Sequence, residues 1–243
     1  MALFAGAYKI SPMSAPLPQP ALDWRSAARL IDHTLLLPQA SREQILQLCR
    51  EAELYGVAAV CVPPVSAALA VFQLRSTPVR VGSVVGFPQG NTLATVKRFE
   101  AAELLRIGVD ELDMVINIGS VKSSDYSLVE SELNEVIKLS HEAGAIVKVI
   151  LETSLLTHEE IIASCNLALS AGADFVKTST GFGPGQATVE DVRLLRSTVG
   201  ARAGVKAAGG IRTAEQFQAM LEAGADRIGA SASVNILREL GAP

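Results

Sequence analysis

Aromatic residues are scarce in this 243-residue chain: they make up 5% of it, with a single Trp. Its core must therefore be filled by Ala, Val, Ile and Leu, which dominate a hydrophobic fraction of 49%. Cysteine is scarce as well. Cys49, Cys61 and Cys165 are odd in number and far apart, with no CxxC and no Cys/His cluster. Neither a disulfide framework nor a zinc site is indicated, and buried free thiols in a reducing cytosol are expected. No run of about 18 apolar residues lacks charges, which excludes a transmembrane helix. Excess positive charge is missing too. A formal net charge of -4 argues against a nucleic-acid groove, which needs a basic surface. A small anionic ligand stays possible, because a local cluster of donors can hold it. High hydrophobicity with low net charge excludes disorder over the bulk of the chain.

The first twenty residues, MALFAGAYKISPMSAPLPQP, carry four prolines, one charge at Lys9 and no helical or strand period. They lack the basic start and long apolar stretch of a signal peptide. They read as a flexible extension (residues 1–20) ahead of one folded domain (residues 21–243), in a cytoplasmic protein.

From Leu22 onward, short β-branched apolar runs alternate with longer segments of helical period. Eight strands are expected: Leu30–Leu35, Ala58–Val62, Arg80–Val85, Glu111–Asn117, Ile146–Glu152, Phe175–Ser179, Ala203–Ala207 and Arg227–Ala230. Most are apolar throughout, as parallel strands covered on both faces are. The segment Ser41–Tyr55 has a helical apolar spacing at Ile45, Leu48, Ala52 and Tyr55, and capping patterns open helices at Thr157 and Thr213. Gly56, Gly108, Gly144, Gly172 and Gly224 mark helix ends. Eight strand–helix units of about 25 to 35 residues specify a single-domain (β/α)8 TIM barrel with a short N-terminal helix. An open doubly wound sheet would show a Gly-rich turn after its first strand, and none follows Leu35.

In such a barrel the chemistry sits at the C-terminal ends of the strands. Charges inside apolar strands are costly without a role or partner. Asp113, Lys148, Lys177 and Lys206 are such charges. Lys177 and Lys206 lie on neighbouring strands and can approach each other. Two facing ammonium groups repel, and the cheapest relief is for one to lose its proton. A neutral lysine is a nucleophile for a carbonyl carbon. Moving its pKa from about 10.4 to about 7 takes roughly 4 kcal/mol. The alternative is two charged lysines neutralised by Asp113 and Glu152. Gly209-Gly210 after strand seven, and the run from Gly229 to Ser233 after strand eight, occupy the common phosphate-binding loops of these barrels.

Several stretches resemble the deoxyribose-phosphate aldolase family: DFVKTSTGF at 174–182, VKAAGGIRT at 205–213, IDHTLL at 31–36, VGFP at 85–88, ELDMVINIG at 111–119 and KVILET at 148–153. The similarity runs in order from about Leu22 to Leu240. It implies a class I, metal-free lyase without a cofactor. Such an enzyme reversibly cleaves 2-deoxy-D-ribose 5-phosphate to D-glyceraldehyde 3-phosphate and acetaldehyde. Lys177 would form the Schiff base, Lys206 would depress its pKa and Asp113 would shuttle protons. Gly181, Gly209, Gly210, Gly229 and Ser231 would hold the phosphate, and Asp32, Thr34 and Cys61 would line the pocket in support. The partners implied are small sugar phosphates and aldehydes, with a homodimer as the assembly and neither nucleic acid nor membrane. A non-catalytic sugar-phosphate binder, or a different Schiff-base barrel lyase, is the competing reading.

The chain departs from the family pattern at Leu37, where Lys is common, and at Pro63, Ser154, Ala208 and Ser233. Leu37 and Ser233 bear on phosphate affinity. Other residues get plain expectations. His33 caps a loop or orients Asp32, His141 and His158 are solvated, and Lys97 is a surface charge. Arg212 pairs with a carboxylate or with the phosphate at longer range, and Trp24 packs over the barrel bottom.

Overall fold

Eight parallel strands close into a barrel in sequence order. They are β1 (Ile31–Thr34), β2 (Ala59–Val62), β3 (Arg80–Val85), β4 (Glu111–Val115), β5 (Ile146–Ile150), β6 (Phe175–Lys177), β7 (Gly204–Ala208) and β8 (Arg227–Ala230). The helices are α1 (Trp24–Ala28), α2 (Arg42–Tyr55), α3 (Ala67–Leu74), α4 (Ala94–Ile107), α5 (Ile118–Lys122), α6 (Tyr126–Glu142), α7 (His158–Ser170), α8 (Val189–Val199), α9 (Ala214–Glu222) and α10 (Ser233–Glu239). This computed structural model describes residues 22–243, so the expected extension, residues 1–20, lies outside the described residues. Among the described residues no helix is long and apolar enough to cross a membrane.

Local signals set the element ends. Ser41, Thr157 and Thr213 each close a full capping box, with Gln44, Glu160 and Gln216 returning the bond. Gly56 and Gly108 end α2 and α4 in the left-handed conformation. β4 stops at Val115 because Asn117 caps α5 instead, its side chain accepting from the Ser120 N–H at 3.1 Å. β5 stops at Ile150, short of the expected Glu152, whose backbone is left-handed at φ 57°. β6 is similarly short, and β7 runs one residue later than expected.

The period of two sorts each strand into two faces. Val60, Val81, Leu112, Val149, Val176, Val205 and Ile228 belong to the apolar core between sheet and helices. The positions between them turn inward. Asp113 of β4 touches lysines from β5, β6 and β7, which only the barrel interior allows. Cys49, Cys61 and Cys165 are buried free thiols.

Two expectations are corrected here. Lys97 is not a surface charge. It is fully buried behind β4 and donates to Glu132 at 2.7 Å and to the Val115 carbonyl at 2.9 Å. His33 faces the helices rather than Asp32, and its Nε2 meets Glu51 of α2 at 2.9 Å. Strand alternation accounts for this, because Asp32 and His33 point to opposite faces. His141 and His158 are both exposed, and His141 shares a 2.9 Å contact with Asp174. Trp24 meets Tyr55 edge-on at 6.3 Å.

Candidate active site

Parallel pairing places the charged side chains in one layer. Lys177 lies opposite Lys206, and Asp113 opposite Lys148. Asp113 is the hub. Its Oδ1 accepts from Lys148 at 2.8 Å, and its Oδ2 accepts from Lys177 at 2.7 Å and Lys206 at 2.6 Å. Asp32 is a second hub, accepting from Lys206 at 2.5 Å and Arg227 at 2.6 Å. Glu111 lies 2.6 Å from Lys148 and 3.5 Å from Arg227.

Among the described residues the interior thus holds four cations, Lys148, Lys177, Lys206 and Arg227, against three carboxylates, Asp32, Glu111 and Asp113. One positive charge is in excess in a site without water-like screening. Lys148 and Lys206 each meet more than one carboxylate, whereas Lys177 meets only one oxygen, which it shares with Lys206. The surplus proton is therefore most weakly held on Lys177. Burial pushes the Lys177 amine down, and the Lys206 ammonium adds to this against the pull of Asp113. Lys206 and Lys148 are pushed the other way, because their carboxylates outweigh burial. Asp113 and Asp32 are held well below the usual carboxylate range by the surrounding ammonium and guanidinium groups, despite their burial.

Above this layer opens a cavity of about 280 Å³. Lys177 is on its wall together with Gly181, Gly209, Gly210, Gly229, Ser231 and Thr34. The expected anion-binding residues and the expected nucleophile therefore face one space. Gly210 has φ +79°, and a Cβ there would stand 2.1 Å from the Gln186 side-chain oxygen. Lys206 lies beneath the wall, since a Cβ on Gly229 would come within 3.0 Å of its Cε. Asp113, Asp32 and Cys61 are likewise below the cavity rather than on its wall. Burial pushes the Cys61 thiol up to about 11, and the Asp113 charge acts in the same direction, so it stays protonated at neutral pH. Thr34 turns its hydroxyl back to the Asp32 carbonyl at 2.8 Å.

Among the departures, Leu37 lines the rim and is 47% exposed. Ser233 is buried and donates to the Ala230 carbonyl at 2.8 Å, so it serves the loop rather than the cavity. Arg212 also lines the cavity, on its exposed side. Glu152 does not neutralise the lysines. Its carboxylate accepts from Thr180, and Asp32 is the carboxylate that meets Lys206 instead. Reasoning from the sequence missed Glu111, Arg227 and Thr180 as parts of the site. Period-two alternation from Asp113 and Gly229 would have pointed Glu111 and Arg227 inward.

A primary amine that sheds its proton, beside a hydrogen-bonded carboxylate and a retained ammonium, can attack a carbonyl and manage the proton transfers that follow. Comparison with known proteins agrees with this chemistry. The family model described as DeoC/LacD family aldolase matches residues 26–240. A deoxyribose-phosphate aldolase of Thermococcus gammatolerans is 58% identical over 212 residues, covering 86% of this chain and 94% of that protein. One from Thermococcus kodakarensis is 58% identical over 221 residues, covering 90% and 98%. A solved structure described as a unique tetrameric structure of deoxyribose phosphate aldolase from Aeropyrum pernix superposes with a TM-score of 0.83. It is 36% identical and covers 88% of this chain and 91% of that one.

Proposed function

The chain belongs to the DeoC/LacD aldolase family, and from that premise we propose that it reversibly cleaves 2-deoxy-D-ribose 5-phosphate to D-glyceraldehyde 3-phosphate and acetaldehyde. The observation that carries the reading is Lys177 on the cavity wall, with one shared carboxylate oxygen as its only charged acceptor among the described residues.

In the cleavage direction, the neutral Lys177 Nζ adds to C1 of the open-chain aldehyde, and the carbinolamine takes up a proton through the Asp113–Lys206 pair and loses water to give a protonated imine. The C3 hydroxyl gives up its proton, the C2–C3 bond breaks, and its electron pair moves into the imine as an enamine. Glyceraldehyde 3-phosphate leaves. The enamine takes a proton at carbon, and water releases acetaldehyde from Lys177. Asp113, which shares one oxygen between Lys177 and Lys206, is assigned the relay of these protons. Lys206 also keeps Lys177 from holding its own proton. The imine is the electron sink, so the carboxylate and lysines suffice for the chemistry described. Backbone N–H groups around Gly181, Gly209, Gly210 and Gly229, with the Ser231 hydroxyl, are assigned to the phosphate. Fixing that end positions C1 over Lys177, which lowers the entropic part of the barrier.

A coupled assay for glyceraldehyde 3-phosphate tests the reading. Release from 2-deoxyribose 5-phosphate that vanishes in Lys177→Ala supports it. A folded protein that binds the sugar phosphate and never cleaves it would contradict it and favour a non-catalytic binder. The protein is proposed to act in the cytoplasm as a homodimer, which light scattering in solution will check.

A further inference from the structure

A buried carboxylate stands beside the cavity with only neutral partners among the described residues. Glu152 is 2% exposed. Its Oε2 accepts from the Thr180 N–H at 3.0 Å and the Thr180 hydroxyl at 2.5 Å, and its Oε1 meets the Ser154 hydroxyl at 3.5 Å. Its backbone is left-handed, φ 57° and ψ 62°, a conformation that residues with side chains avoid unless their surroundings enforce it. The Thr180 hydroxyl also accepts from the Phe182 N–H at 3.1 Å. Gly183 leaves no room on the other side, since a Cβ there would stand 2.7 Å from the carboxylate. One anion thus ties down a whole turn, and Thr180, Gly181 and Phe182 of that turn line the cavity.

The sign of this charge is wrong for direct contact with a phosphate. Its place is explained by hydrogen bonding: a carboxylate oxygen holds two donors more firmly than a neutral acceptor does. The turn it holds begins three residues after Lys177 and includes Gly181, at φ +83°.

We propose that Glu152 is a positioning residue for the phosphate end of the substrate, fixing the Thr180–Phe182 turn so that the Gly181 backbone stays set for the anion. This rests on the reading of the substrate given above. Glu152 touches neither the reacting carbons nor Lys177 in this scheme. Its loss should therefore weaken phosphate recognition and leave the chemical step intact.

The test compares 2-deoxyribose 5-phosphate with unphosphorylated 2-deoxyribose in the wild-type chain, Glu152→Ala, Glu152→Gln and Thr180→Val. In Glu152→Ala and Thr180→Val, KM for the phosphorylated sugar should rise about tenfold or more, as expected for a misplaced charge-binding turn. For Glu152→Ala, kcat, and kcat/KM for the unphosphorylated sugar, should stay within about threefold of wild type. Glu152→Gln keeps an acceptor and should fall between. Equal losses on both sugars would overturn the proposal and make Glu152 a part of the fold or the chemistry. Unchanged KM would overturn it as well. Should the wild-type chain cleave neither sugar, the reaction itself is misread. Calorimetric titration of the same proteins with inorganic phosphate then still decides: weakened binding in the variants supports the role, and unchanged binding refutes it. Where Glu152→Ala does not fold, Glu152→Gln and Thr180→Val carry the comparison.

Discussion

Replacing Lys206 by Met removes one of the two ammonium groups on Asp113 Oδ2 and keeps the side chain's reach. Two donors on one oxygen stand about 4–5 Å apart, where unit charges at an effective dielectric constant of about 20 repel by roughly 3–4 kcal/mol. That is about 2.5 pKa units on Lys177. The same change leaves three cations facing three carboxylates, so the excess charge that weakens the Lys177 proton disappears. Both effects act in one direction: the Lys177 pKa rises. The neutral fraction at pH 7 should fall roughly a hundredfold, following the pKa. The assay is the rate of borohydride-trapped adduct formation with acetaldehyde, followed across pH. In Lys206→Met the acid limb of that profile should move up by about two pH units, with adduct formation recovering as the pH is raised. Circular dichroism at each pH guards against unfolding. An unmoved limb, or one displaced to lower pH, would refute the argument that Lys206 holds the Lys177 proton off.

Asp113→Asn should separate bond formation from proton relay. Turnover should fall by about 10²–10⁴, as loss of a general acid–base does. The Lys177 adduct should still form at neutral pH, because its one carboxylate partner is gone. Gly210→Ala forces a side chain into φ +79° and against Gln186, so KM for the phosphorylated sugar should rise by roughly tenfold, the equivalent of 1–2 kcal/mol of left-handed strain. Stability should also be lost in acid. Asp32 and Asp113 titrate lower in the folded chain than in the unfolded one, so their contribution is complete above the unfolded carboxylate value of about 4. It is lost as pH falls from there towards their folded values. Thermal melts between pH 7 and pH 2 should show Tm declining below about pH 4, with a shallower decline in Asp32→Asn.

The barrel was legible because each of its signals is local. Apolar runs, capping boxes at Ser41, Thr157 and Thr213, and glycines at the helix ends all act within one turn of chain. Lys177, Lys206 and Asp113 were legible because a charge inside an apolar strand needs a reason. The misread residues are those whose partners come from far along the chain. Lys97 reads as a helix-surface charge until Glu132 arrives from α6 to meet it. Glu152 reads as a counter-charge for barrel lysines, but the left-handed turn after β5 carries its carboxylate to Thr180. Arg227 reads as the start of a strand, and only closure of β8 onto β1 brings it to Asp32. The surplus of one cation is likewise a property of the closed barrel, since its seven charged groups come from six strands.

Lys177 is the amine proposed to form the imine. Incubation with 2-deoxyribose 5-phosphate and borohydride, followed by peptide mapping, tests it most directly. One reduced adduct is expected, on Lys177, and it should be absent in Lys177→Ala. An adduct on Lys206 would reverse the assignment of the two amines. No adduct from a folded protein that binds the sugar phosphate would contradict imine chemistry altogether.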